Sequence, residues 1–344
     1  MRLPASTKGQ GEDGKGPAGQ SREGLDSHRQ GRDGLDPHGH GRDGHGLEGE
    51  RLDGQDLRAY FHPDHLGPLA DLLGFRPEDR AELLHHAAAL DEADLGEIAR
   101  ARDMVREALG HWSGRPGAFD PFGDGAGRPR GLIPMFALLA GVPAVRAEHD
   151  RRGIPEADTY GGLADLGQQV AVYRQTFGEF GLDSQGWLVT VWAGAFFWLG
   201  RLQANLIPHA GGHVISVHIP ETGPLRPEDV DDSFARARDF FGRYFPEAPA
   251  HALQCNSWLL DPQLAQVVKP ESNLASFQRR WRLVGEPREA DASIIYFVFR
   301  RRARPGEELD LTGLPRRTSL ERAVLEHLDA GGHWYAYVGL IDLD

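Results

Sequence analysis

Hydrophobic periodicity begins near Leu57 and reads as helix for about a hundred residues. Pro77 and Glu78 open a helix that runs to about Leu90, with Leu83, Leu84, Ala87 and Leu90 on one face. A second helix starts at Asp91. Its apolar positions Leu95, Ile98, Val105, Leu109 and Trp112 keep helical spacing. The Gly/Pro-rich stretch Ser113–Arg130 interrupts the pattern, and Leu132–Val142 resumes it as an apolar helix. Helical turns continue to about Phe180, and Trp187–Ala193 fits helix or strand equally.

Beyond that point strands enter. Phe196–Asn205 and Val214–Pro220 are apolar runs separated by Pro208 and Gly211-Gly212, the pattern of an antiparallel pair. Pro227–Tyr244 is an amphipathic helix with Val230, Phe234, Ala237, Phe241 and Tyr244 on one stripe. A strand is expected at Ala252–Leu260, helical pieces at Pro262–Val268 and Ser272–Trp281, and a central strand at Ser293–Arg300, apolar on both faces. Thr318 and Glu321 form a capping box for a helix ending before Gly331-Gly332, and Trp334–Leu340 is a closing strand. The fold class is mixed α/β (α+β): a helical subdomain, then a mostly antiparallel sheet flanked by helices.

Composition changes this picture at one end. Residues 1–54 are rich in Gly, Asp, Arg and His and repeat imperfectly at Arg22, Arg32 and Arg42, with too few apolar side chains to offset backbone entropy. They are expected to form a disordered tail, ahead of a helical domain at 55–155 and an α/β domain at 156–344. The 344 residues carry 38 Lys+Arg against 51 Asp+Glu, a net charge of −13 that disfavours nucleic acid and acidic membranes as partners. No apolar run reaches the ~20 residues of a membrane span, and no secretory leader opens the chain, so a cytoplasmic protein is expected. The lone Cys255 excludes an internal disulfide and multi-cysteine zinc sites, and an apolar strand favours a buried structural thiol there.

Candidate chemistry centres on the end of the Val214–Pro220 strand. Alternation puts Val214, Ser216 and His218 on one face and Ile215, Val217 and Ile219 on the other. The odd spacing from His213 to His218 points them apart, so no shared metal is expected. No Gly-x-Ser-x-Gly elbow occurs, which argues against an α/β-hydrolase.

The strings Leu199-Gly-Arg-Leu-Gln203, His218-Ile-Pro-Glu-Thr-Gly-Pro-Leu225, Cys255-Asn-Ser-Trp-Leu-Leu-Asp-Pro262 and Ser272-Asn…Phe277-Gln-Arg-Arg-Trp281 occur in that order. They resemble a family of bacterial, mostly actinobacterial, acyltransferase domain-containing proteins. Such proteins pair a helical N-terminal domain with a GNAT-like C-terminal domain. The resemblance covers about residues 57–342. It implies a GNAT-like N-acyltransferase that moves an acyl group from acyl-CoA, a co-substrate, to an amine of a small molecule or peptide. Acyl-CoA would lie where the fourth and fifth strands splay, its pyrophosphate on the helix start after strand four.

Mapped by order, strand four is Val214–Pro220, the phosphate turn Glu221–Arg226 and strand five Ala252–Leu260. The resemblance then implies His218 or Glu221 as proton acceptor and Ser257 as an orienting hydroxyl. Ile219, Thr222, Gly223, Leu225, Arg226 and Asn273 would contact the acyl-CoA. Three features depart from the family pattern: Pro224 and Pro227 lack N–H donors, Glu228 and Asp229 place negative charge at the helix start, and Arg280 stands where a thiolate-protonating tyrosine is common. They favour the alternative, a catalytically inactive GNAT-like module that binds a small molecule or protein in the same cleft.

Overall fold

The structure is a computed structural model describing residues 2–3, 54–112, 127–304 and 307–343. The repeats of the N-terminal tail and most of the Gly/Pro-rich stretch after Trp112 lie outside them. Arg2–Leu3 (β1) is described, and it pairs antiparallel with Leu309–Asp310 (β7).

The helical part comprises α1 (Gly54–Tyr60), α2 (Pro63–Leu72), α3 (Pro77–Ala88), α4 (Glu92–Ala108), α5 (Leu132–Arg152), α6 (Glu156–Leu163), α7 (Asp165–Phe177) and α8 (Gln185–Thr190). Asp91 caps α4 in a box with Asp94, and Leu95, Ile98, Ala101, Val105 and Ala108 turn inward. The apolar helix expected at Leu132–Val142 runs on through Pro143 to Arg152 and stops at Gly153, φ +73°. Its first half is buried all round, as a core helix should be. Gly141 lets Trp192 approach closely, and the indole donates to Leu138 O at 2.8 Å. The ambiguous Trp187–Ala193 segment is helical, ending in a wide turn at Val191–Ala195 where Gly194 takes φ +86°. One hydrophobic core joins Leu57 through Phe196. Among the described residues, no helix is long and apolar enough to cross a membrane.

A six-stranded sheet follows, in the order β2-β3-β4-β5-β8-β6. Its strands are β2 (Phe196–Leu199), β3 (Leu202–His209), β4 (Gly212–His218), β5 (Ala250–Ser257), β6 (Arg282–Glu289) and β8 (Tyr335–Asp342). The run expected as one strand, Phe196–Asn205, is broken into a β2–β3 hairpin by Gly200 at φ +77°. β3 and β4 form the expected antiparallel pair. The β4–β5 pair is parallel, so the chain must cross over between them, and α9 (Pro227–Tyr244) does so. Its Val230, Ala237 and Phe241 pack on Ile215, Val217, Leu253 and Cys255.

Two expectations fail in the last third of the chain. Ser293–Arg300 is not a central strand but lies largely in helix α11 (Asp291–Phe299). A short apolar run satisfies either period, and here Ile294, Ile295 and Val298 join a small core with α12 (Ser319–Asp329), while Phe297 is half exposed. The strand that takes the remaining sheet edge is β6, which the sequence pattern missed. It is mostly exposed on both faces and bulged between Val284 and Arg288, so it carries no alternation. The expected Ala252–Leu260 strand ends at Ser257, where a short 3₁₀ turn begins, and Ser272 caps α10 (Asn273–Gln278).

Candidate functional site

The two inner strands part. Their register runs through Ile215↔Leu253 and Ser216↔Gln254 and goes no further. β4 continues to His218 on its β3 side, and β5 continues to Ser257 on its β8 side. Extending the register would seat His218 beside the exposed Asn256, yet no pairing forms there. The pairing therefore leaves a slot in the ladder between two strand ends, with backbone groups on either side of it released from β4–β5 pairing.

One face of the sheet beside this slot is polar and covered by the helical part. Trp198, Gln203 and His218 are neighbours across three strands, and so are Phe196, Asn205, Ser216 and Gln254 across four. His218 Nε2 lies 2.6 Å from Asn205 Oδ1. Trp187, from α8, meets the imidazole edge to face with ring centroids 4.7 Å apart, and Phe196 lies 6.0 Å from the imidazole and 5.4 Å from Trp187, so the three rings cluster. The Trp187 indole donates to Asp165 Oδ2 at 2.6 Å, and Gln203 Nε2 donates to Asp165 Oδ1 at 3.3 Å. Burial lowers the His218 pKa to about 4, so its ring is uncharged at neutral pH. The same cause raises Asp165 above the usual carboxylate range, against the hydrogen bonds from Trp187, Gln203 and Gln169. Burial also pushes the Cys255 thiol up to about 12, which keeps it protonated and inert.

Past His218 the chain turns into α9. Ile219 and Leu225 pack on the sheet's apolar core, and Thr222 N–H donates to Pro220 O. Gly223 takes φ +125°, and the carbonyls of Gly223 and Pro224 accept from Arg201 at 2.6 and 3.1 Å. Arg201 also reaches inward: its Nη1 is buried with no hydrogen-bond partner among the described residues. Glu221 is paired with Arg300. Arg226 precedes α9 without a side-chain cap and sits 3.9 Å from Asp229. Arg302 and Arg304 bind Asp183 and Glu179, tying the segment after α11 to the helical part.

Not every candidate converges. Ser257 lies on the core side of β5 with Cys255, away from His218, and its hydroxyl accepts from Leu259 N–H. Asn273 is exposed at the first turn of α10, with the capping done by Ser272. Arg280 holds Asp231 through both carboxylate oxygens and reaches Pro227 O, so it anchors α9. The residues that the sequence reading missed are Asn205, Gln203, Trp187, Asp165 and Arg201. Only buried polar side chains on a strand, Gln203 and Asn205, could have signalled them. Elsewhere Glu289, Asp291 and His333 place ligand atoms within 4.8 Å of one another, but both Asp291 oxygens already accept, from Trp334 N–H and His333 Nδ1.

Comparison with known proteins places this arrangement. Residues 64–194 match the N-acyltransferase N-terminal domain, and residues 196–341 match the GNAT-like C-terminal domain. A solved acyltransferase in complex with decanoyl-CoA is 32% identical, covering 85% of this chain and 100% of its own, with a TM-score of 0.71. An acyltransferase mutant in complex with octanoyl-CoA is 34% identical, covering 82% and 89%, with a TM-score of 0.73. The same values hold for an acyltransferase in complex with decanoyl-CoA and teicoplanin. No curated protein matches the chain.

Proposed function

Because the chain belongs to the family that joins an N-acyltransferase N-terminal domain to a GNAT-like C-terminal domain, we propose that it moves a medium-chain acyl group from acyl-CoA to an amine of a small-molecule acceptor. The acyl-CoA complexes of its structural neighbours support the donor, and the teicoplanin complex makes a glycopeptide amine the first acceptor to test. The observation that carries the reading is the parting of β4 and β5 after Ser216 and Gln254, beside His218.

The residues present fit acyl-CoA in three respects. Backbone leaves the ladder at the slot, α9 has no side-chain cap on the N–H groups of Glu228 and Asp229 that follow Pro227, and Arg201 brings to the turn between them a buried guanidinium nitrogen without a partner among the described residues. Glu228 and Asp229 oppose a pyrophosphate at the helix start, so Arg201 and Arg226 supply the compensating charge. Acyl-CoA supplies the acyl group as a thioester. The amine nitrogen forms a bond to its carbonyl carbon, the carbon–sulfur bond breaks, and an amide and free CoA thiol result. His218 accepts the proton that nitrogen sheds as it bonds and becomes acidic, and that proton balances the one the departing sulfur needs. Trp187 and Phe196 pack against the ring and shield part of it from water. In this reading Ile219, Thr222, Gly223, Leu225 and Arg226 border the donor. Glu221, held by Arg300, shapes the turn and takes no proton.

The test is calorimetry and thermal unfolding with octanoyl-CoA, decanoyl-CoA and CoA, followed by thiol release with teicoplanin as acceptor. A donor at 100 times its Kd raises stability by about 2.7 kcal/mol. Binding with acceptor-dependent thiol release is expected. Failure of every CoA ester to bind overturns the proposal, and binding with no transfer to any amine leaves a non-catalytic module.

A further inference from the structure

His218 can serve as a base only through a ring nitrogen that carries a lone pair, and the structure decides which one. Asn205 stands on β3 opposite Ser216, one position diagonal to His218 on the same sheet face. Its side chain is buried at 2% exposure. Its Nδ2 donates to Leu206 O at 3.2 Å, and that bond turns Oδ1 toward the imidazole. A carbonyl oxygen can only accept, so the 2.6 Å contact requires hydrogen on His218 Nε2. The lone pair of the neutral ring is then on Nδ1, which has no hydrogen bond among the described residues.

We infer that Asn205 is a positioning residue that selects the Nε2–H tautomer of His218 and so makes Nδ1 the atom that receives the proton from the acceptor amine. The inference rests on the reading of His218 as proton acceptor. An amide is suited to this task. It holds the tautomer as a carboxylate would, but adds no charge that would favour protonation of the ring. Of the titratable groups on the elements around the ring, Asp165 on α7 is engaged by Trp187 and Gln203, and Glu221 beyond the strand end is paired with Arg300; His209, His213, His251, Cys255, Tyr173 and Arg174 lie on the same elements.

The experiment compares His218→Ala, Asn205→Leu, Asn205→Asp and the His218→Ala/Asn205→Leu double variant in steady-state transfer from decanoyl-CoA, each checked for folding. Asn205→Leu should lower kcat about tenfold or more while leaving KM for decanoyl-CoA within about twofold. It should cost nothing further in the His218→Ala background. Asn205→Asp should keep the tautomer but raise the ring's affinity for a proton, so the acid limb of kcat/KM moves to higher pH than in wild type. Asp165→Asn serves as the control for a limb arising on α7. Wild-type turnover in His218→Ala overturns the proton-acceptor reading. An inactive His218→Ala beside a fully active Asn205→Leu overturns the tautomer inference alone. Where Asn205→Leu does not fold, the Asn205→Asp profile decides: an acid limb moved to higher pH upholds the inference and an unchanged profile overturns it.

Discussion

Trp187 donates its indole hydrogen to Asp165 across 2.6 Å, the shortest of three side-chain bonds to a carboxylate that is 2% exposed. The bond spans two helices, because Asp165 begins α7 and Trp187 lies in α8. It also fixes the ring that packs on His218. Replacing Trp187 by Phe keeps an aromatic ring but strips Asp165 of its best donor. The remaining donors, Gln203 and Gln169, are at 3.3 and 3.4 Å. Stability should fall by about 1–3 kcal/mol, as expected for a buried acceptor left short of partners. Burial already raises the Asp165 pKa, and losing the indole removes a contact that lowers it. The deficit should therefore shrink as pH falls and the carboxylate protonates. Urea titrations at neutral and mildly acid pH measure both effects, and a deficit that does not change with pH would contradict the account.

Arg201 and the turn after β4 give a second prediction. The guanidinium holds the carbonyls of Gly223 and Pro224, while Arg201 N–H donates to Ser233 Oγ at 2.8 Å, so the β2–β3 hairpin is fastened to both ends of the turn–helix junction. Arg201→Met keeps the aliphatic stem and removes the clamp. KM for acyl-CoA should rise at least severalfold, with kcat changed much less, because the donor's binding is affected and the proton transfer at His218 is not. Gly223→Val should also weaken donor binding, through backbone strain. A β-carbon there meets nothing within 4 Å, but φ +125° is unfavourable for a β-branched residue. Unchanged donor KM in both variants would move the donor away from this turn.

What the sequence revealed and what it hid divide along the distance over which information acts. The start of α4 at Asp91, the α12 cap, the α9 stripe and the β3–β4 pair are local patterns, and each was legible. His218 was singled out because its position at a strand end is also local. Asn205 became visible only when β3 was paired to β4, and Asp165 and Trp187 only when α7 and α8 were laid on the sheet. Ser257 was chosen on the same local grounds, and only the pairing of β5 shows that it lies on the Cys255 side of the sheet. The edge strand β6 has no buried face to imprint a pattern, and α11 imprints one too short to tell helix from strand.

The pH dependence of stability gives the last prediction. His149, 2% exposed on α5, donates from Nε2 to Gly194 O at 3.1 Å and accepts at Nδ1 from the Thr159 hydroxyl at 2.9 Å. Both nitrogens are used in the neutral form, and burial lowers the pKa from 6.5 to about 4. A folded-state pKa below the unfolded value means the unfolded chain binds the proton first. The stability owed to the neutral ring is therefore whole above the unfolded pKa and is lost as pH falls through the window down to about 4. At roughly 1.4 kcal/mol per unit, His149 alone contributes about 3 kcal/mol to that slope. His218 adds to it in the same direction. Denaturant titrations from pH 7 to pH 4 should show stability falling. In His149→Gln, which can still donate to Gly194 O, the fall should be shallower than in wild type by about that amount, although the variant is less stable at neutral pH. Carboxylates titrating over the same range affect both proteins alike, so the difference between the two curves isolates the imidazole. Parallel curves would mean that His149 is not held neutral by the fold, and the wide turn at Gly194 would then be anchored by something other than this ring.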